Sequence, residues 1–320
     1  MPSSNNTASP IMVIIAFAIV YIVWGSTYFF IKIAVGDFPP FMLGALRFLI
    51  AGIFMTAWCI IRGEKLFGIP NIKHAVISGV VLLFFGNGII IWVEQSVPSG
   101  LASITVSSAP LWFILLDQPR WRENFRSRSI ILGMIIGLAG VLMLFSEQVS
   151  ASIEGSGGIP VGTMALLLLA SISWAAGSLY SKYKSSKGST MVNTSWQMMA
   201  AGFAFLPGVF IRDEFNGFNW TDVSTSAWLS LLYLVSLGSI AGFSAYVWLL
   251  RVRPAMQVST YAYVNPVVAV LLGVFIANEK ISLIQILGLI TILGSVLLIN
   301  MAKYRREKLA EKAISASLAT

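Results

Sequence analysis

The chain has one cysteine and one histidine in 320 residues. Cys59 lies inside an apolar run and His74 at the edge of one, so neither a disulfide framework nor a Cys/His metal cluster can be assembled. Charge is equally scarce. Asp, Glu, Lys and Arg together make up 11% of the sequence against 57% hydrophobic residues, a balance outside the range of ordinary soluble domains. Catalysis within a membrane would need paired carboxylates, a Ser–His set or a His-rich metal site. None of these is laid out in the sequence, and no Gly-rich loop ending in Lys-Ser/Thr is present to hold a nucleotide phosphate. The expectation is a non-enzyme that needs no cofactor. A formal net charge of +8 would suit nucleic acid if it were clustered on a soluble face. Its distribution excludes that partner, because the basic residues flank hydrophobic segments.

What is abundant is apolar sequence in blocks of the length that a ~30 Å hydrocarbon layer demands of a helix. The spans fall at 11–35, 41–61, 74–95, 99–118, 129–145, 161–181, 193–211, 227–250, 255–277 and 283–302. The fold class is therefore an all-α integral membrane protein with ten transmembrane helices. The first block has no cationic stretch before it and no small-residue cleavage site after it, so it reads as a retained helix and not a signal peptide. Turn formers such as Gly36-Asp-Phe-Pro-Pro40 and Val97-Pro-Ser-Gly100 link the blocks, and Pro254 stands where it would open the ninth helix. Arg62, Lys65 and Lys73, then the four arginines from Arg120 to Arg128, then Lys182, Lys184 and Lys187, then Arg251 and Arg253, and finally the C-terminal tail all fall on one side. The opposite side holds only Arg212 and Lys280. Such an asymmetry places both termini in the cytoplasm.

The two halves repeat each other. Trp24 and Lys32 match Trp174 and Lys182 at an offset of 150, while Trp92, Pro98, Ser103 and Pro110 match Trp248, Pro254, Ser259 and Pro266 at 156. Ile131-Leu-Gly133 and Ile286-Leu-Gly288 carry the match into the last helix of each half at 155. Because five helices per half is an odd number, the halves enter the membrane from opposite sides, an inverted-topology repeat. The organisation expected is a cytoplasmic tail at 1–10, a first repeat at 11–145, an external link at 146–160, a second repeat at 161–302 and a basic cytoplasmic tail at 303–320. Pro110 and Pro266 interrupt equivalent hydrophobic segments, and paired interruptions of this kind point to the binding site of a secondary transporter.

Trp24-Gly-Ser-Thr-Tyr28, Arg47-Phe48, Gly86-Asn-Gly88, Val97-Pro-Ser-Gly100, Ile172-Ser-Trp174, the block from Ser259 to Gly273 and Glu279 together resemble the EamA-type, ten-helix exporters of the drug/metabolite transporter superfamily. The resemblance covers about residues 11 to 302 and is nearest to the pigment- and metabolite-exporter branch of bacterial inner membranes. One stretch departs from it. Leu116-Asp-Gln-Pro-Arg-Trp-Arg-Glu-Asn124 ends the fourth helix in polar sequence, although Glu123 still matches Glu279 at the 156 offset. The resemblance implies a secondary active transporter that exports small organic metabolites or amphipathic compounds by alternating access. An importer or facilitator of similar solutes is the alternative, with a membrane scaffold or an intramembrane enzyme behind it.

Candidate site residues follow from depth and chemistry. Trp24, Tyr28, Asn87, Ser107, Trp174, Ser178, Tyr246, Tyr263 and Asn265 are aromatic or polar near the middle of their spans and form the expected substrate set. Interfacial aromatic belts and hydroxyls bonded to their own helix are the competing accounts. Asn87 and Asn265 fit those accounts least, because a primary amide in hydrocarbon requires partners. Lys32, Arg47, Glu94, Pro110 and Pro266 form a second set, for gating or coupling. Lys32, Arg47 and Glu94 share one level near the external helix ends, where snorkelling to headgroups also accounts for them. The expected partners are a small organic substrate, protons as coupling ion, and the bilayer.

Overall fold

The computed structural model describes residues 9–67, 69–153, 159–184, 189–253, 258–259, 261–295, 297–299 and 301. Side chains of a few further residues inside helices, Tyr263 and Glu123 among them, also fall outside what is described, as do Pro254 and residues 154–158 of the link. All regular structure among the described residues is helical. The helices are α1 Pro10–Asp37, α2 Pro40–Ile61, α3 Ile72–Val93, α4 Ser99–Leu116, α5 Arg128–Ile153, α6 Val161–Lys184, α7 Thr190–Ile211, α8 Thr225–Val252, α9 Tyr261–Phe275 and α10 Leu283–Ile299. Seven of them are long and apolar enough to cross a membrane, and the apolar parts of α5, α9 and α10 are shorter. Together they make the ten-helix arrangement that the sequence predicts.

Local chemistry sets the helix starts. Pro10 and Pro40 open α1 and α2, where the missing N–H has no partner to lose. At α8 the Ser224 hydroxyl accepts from the Ala227 amide as an N-cap. The outer surface is apolar, with Ile22, Phe54, Phe210, Leu229 and Ile290 well exposed, as a hydrocarbon solvent permits. Inside, α1 crosses α9 at Gly25, where a Cβ would lie 2.7 Å from that of Val268 and 3.2 Å from the Asn265 backbone. Only glycine allows that crossing.

Three features depart from the sequence reading. First, the two proline helices are not broken alike. α4 divides into Ser99–Val106 and Ala109–Leu116 at Ser107-Ser108, whereas α9 continues through Pro266. Pro110 sits in the first turn of its segment, where it satisfies the helix geometry and does not kink it. Second, α5 runs on to Ile153, well into the stretch assigned to the external link. Third, α3 and α8 each widen to π-helical winding, over Val80–Asn87 and Leu234–Phe243, and these stretches overlap at the 156-residue offset. A π segment inserts an extra residue per turn and re-aims side chains, which is why such segments collect at functional sites.

The exchange of halves shows in the packing as well. Two apolar grooves of about 320 and 300 Å³ are lined largely by hydrophobic side chains. Phe41, Trp92 and Leu166 line one; Met191, Trp248 and Ala16 line the other, at the same offsets that relate the two halves in sequence.

Candidate functional site

The widened stretches of α3 and α8 face each other across α1 and α6, and a cavity lies between them. Its walls include Trp24, Tyr28, Asn87, Trp174, Tyr261 and Asn265. The free interior is about 40 Å³, room for a few water molecules but not for an organic solute, so this conformation is contracted about the site.

One wall is an aromatic cluster. Trp24 and Trp174, equivalent residues of α1 and α6, meet edge to face at 5.2 Å, and Trp24 lies 4.8 Å from Tyr246 and 5.6 Å from Tyr261. The Trp24 indole N–H donates to the Gly238 carbonyl at 3.0 Å, inside the π segment of α8. Tyr246 is fully buried behind the cluster and shares a 2.7 Å hydrogen bond with Ser178. Two polar groups in this wall, Nε1 of Trp174 and the hydroxyl of Tyr261, adjoin each other and Tyr246 without a hydrogen bond of good geometry.

The opposite wall carries charge. The Arg47 guanidinium, 3% exposed, donates from Nε to Ser239 Oγ at 3.0 Å and from Nη1 to Asn87 Oδ1 at 3.0 Å, linking α2 to both π segments. Glu94, at the C-terminal end of α3, is fully buried and neither carboxylate oxygen has a hydrogen-bond partner. It shares its electrostatic surroundings with Lys32, Glu279 and Arg47. Asn265 is buried against α1. In the amide orientation that satisfies both groups, its nitrogen donates to the carbonyls of Tyr21, 3.0 Å, and Tyr261, 3.2 Å.

Trp24, Tyr28, Asn87, Trp174, Asn265 and Arg47 are thus gathered at one cavity, with Ser178 and Tyr246 directly behind it. The structure places the others elsewhere. Ser107 lies off the cavity and bonds the carbonyl of Ile104 at the α4 break. Pro110 and Pro266 contribute helix geometry and no cavity surface among the described residues. Tyr263 lies outside the described side chains.

Lys32, grouped with the gating set, is a helix clasp. Its ammonium donates to the carbonyls of Glu94 at 2.7 Å and Val97 at 3.2 Å, satisfying acceptors left open at the end of α3. Lys182 does the same for Leu250 at 2.9 Å and Arg253 at 3.3 Å. Donors and acceptors correspond at offsets of 150 and 156, so the contact belongs to the repeat and not to one half's function.

Sequence reasoning missed Phe48, Phe243 and Gly238 as cavity walls. The glycines of Gly86-Asn-Gly88 and Gly238 were the available signal for a loosened helix, but glycine is common in membrane spans for packing alone. Also missed were two acids that cap helices across the halves. Glu214 accepts from the Phe41 and Met42 amides at the start of α2, at 3.2 and 2.7 Å. Glu279 accepts from the Ser99 amide and hydroxyl and the Gly100 amide at the start of α4, at 2.9, 2.8 and 3.1 Å. Both stand at repeat positions, matching Glu64 and Glu123 at 150 and 156.

The model of the EamA-like transporter family matches residues 11–146 and 162–301, one copy per half. The chain is 39% identical over 289 residues, 89% of each chain, to the "Uncharacterized inner membrane transporter YedA" of Escherichia coli. It is 25% identical over 300 residues, 91% of this chain and 95% of the other, to a "Probable amino-acid metabolite efflux pump" of Escherichia coli. A solved crystal structure at 18% identity superposes with a TM-score of 0.66 over 93% of this chain and 100% of its own, a likeness of fold. The chain belongs to the EamA-like transporter family of the drug/metabolite transporter superfamily, and it is a multi-pass inner-membrane transporter of small molecules.

Proposed function

With that membership as premise, we propose that the protein is a secondary active exporter of small organic metabolites, carried one at a time through the cavity between its halves by alternating access. The observation that bears most weight is the convergence of α1 and α6, with the π segments of α3 and α8, on one buried site of mixed aromatic and polar character. Ligand sites of this kind combine an apolar body with a few placed polar groups, and inverted repeats put them at the repeat interface. The contracted interior is one state of the cycle; rocking of one half against the other makes room for substrate on one side at a time. Export as the direction is supported by the name of the efflux-pump relative. Both termini are assigned to the cytoplasm on the Lys/Arg distribution. Glu94, a carboxylate buried without a hydrogen bond, is assigned the coupling proton.

The test is reconstitution. Purified protein in liposomes loaded with a mixture of metabolites should release a subset faster than protein-free liposomes do, and Trp24→Ala together with Trp174→Ala should abolish that release while the protein still inserts. Release unaffected by the double substitution would remove the cavity from the pathway.

A further inference from the structure

We propose that Arg47 is the carboxylate-recognition residue of this transporter, so that its substrates are small organic acids or zwitterions with one carboxylate and an apolar or aromatic body. The inference rests on the transport reading above and narrows its substrate class. Among the described residues lining the cavity, Arg47 is the one charged side chain. A guanidinium has five N–H donors in a planar fork that fits a carboxylate in bidentate fashion. Here both of its protein hydrogen bonds go to neutral acceptors, Ser239 and Asn87, which orient the fork without neutralising it. Nη2 lies close against Gly238, where a Cβ would stand 3.3 Å from it.

The second half supplies the internal control. The position equivalent to Arg47, at an offset of 150, is Gln197. It too is buried and bridges neighbouring helices, donating to Ser78 Oγ at 2.8 Å and Ser181 Oγ at 3.0 Å. A neutral amide therefore suffices to join the helices at this depth, and the charge on Arg47 is surplus to that task. A buried cation is expensive unless something balances it. Glu94 shares the region without hydrogen-bonding to the guanidinium, so it leaves those donors unoccupied.

The facing wall agrees. The Trp174 N–H and the Tyr261 hydroxyl, on side chains more than nine-tenths buried, adjoin each other and Tyr246 without a hydrogen bond of good geometry. Together with Arg47 they present an excess of donors, which matches the acceptor-only chemistry of a carboxylate. A single positive charge suits a monoanionic group better than a phosphate dianion. The Trp24, Trp174 and Tyr246 rings accommodate the substrate's apolar body.

Liposomes loaded with leucine, phenylalanine, tryptophan and the primary amide of each provide the test, with efflux of every species followed by mass spectrometry. The acids should leave through the wild-type protein and the amides should not. Arg47→Gln, which copies the natural Gln197, should lower acid efflux roughly tenfold or more with an unchanged melting temperature, and Arg47→Lys should restore part of it. Amides leaving as fast as acids, or full acid efflux through Arg47→Gln, would overturn the assignment while leaving transport intact. If neither class leaves but other metabolites from a mixed pool do, the assignment also fails and the transport reading stands. No specific efflux of any solute would remove both.

Discussion

Lys32 and Glu94 illustrate what a single sequence position conceals. Both are charged residues at one depth in adjacent helices, and as letters they invite pairing. In the structure the lysine binds the Glu94 main-chain carbonyl and leaves that residue's carboxylate alone. The sequence showed that Lys182 repeats Lys32 150 residues on, but neither the lysine's hold on a helix end nor the carboxylate's isolation, since both depend on what lies around them in three dimensions. The two lysines should behave as twins. Lys32→Met and Lys182→Met should each lower stability by about 1–3 kcal/mol through unpaired helix-end carbonyls, seen as similar drops in melting temperature in detergent, with transport by the surviving protein intact. A loss of transport at normal stability in Lys32→Met would return that residue to the gate. For Glu94 the expectation is the reverse. Glu94→Gln should fold as well as the wild type, or better, and its transport rate should no longer vary with pH; a wild-type pH profile in that variant would leave the acid with a packing role only.

At the scale of elements, periodicity and length located the ten helices because hydrocarbon thickness fixes how long an apolar run must be. It could not locate the π segments of α3 and α8, the division of α4 at Ser107-Ser108 or the continuity of α9 through Pro266. Those depend on which carbonyls neighbouring helices can satisfy, and hydropathy does not record that. The capping acids join elements across the halves, and their contribution can be isolated. A side chain at Gly273 would collide with the Glu279 carboxylate that caps α4. Glu279→Ala should cost about 1–2 kcal/mol, as the loss of a side-chain cap does, and Gly273→Ala should cost a similar amount by displacing the same group. The double substitution should then cost little more than either single one, as measured by chemical or thermal unfolding. Additive losses would mean that Gly273 matters for another reason. Glu214 adds a pH signature. Burial raises its carboxyl above the ordinary range, outweighing the Met42 and Phe41 amide bonds that pull it down. A carboxyl raised by folding favours the folded state below its unfolded pKa of about 4.3, and that contribution is lost as pH rises through the folded value. The stability of the wild type relative to Glu214→Gln should therefore fall as pH climbs out of the acid range, whereas a constant difference would show that the carboxyl titrates as if unfolded.

The molecule as a whole is two copies of one five-helix unit, each matched by the family model, and Trp and Pro at constant offsets made that duplication visible before any coordinates. What the duplication could not convey is where the copies differ: Arg47 at the cavity wall against Gln197, Glu94 against Leu250, a divided α4 against a continuous α9. In a Cys59→Ser background, a cysteine at Ser156 should react with an impermeant thiol reagent on intact cells, and cysteines at Ser127 or Ser186 only after lysis. External labelling at Ser186 would overturn the inverted orientation of the second half. If the cavity between the copies opens to each side of the membrane in turn, Ala170, small, buried and on its wall, is the position from which to read it. A single cysteine at Ala170, in the same background and reconstituted in liposomes, should be modified by impermeant reagent supplied from either side, with a transported solute shifting the two rates in opposite directions. Modification from one side only, whatever solute is present, would contradict alternating access through this cavity.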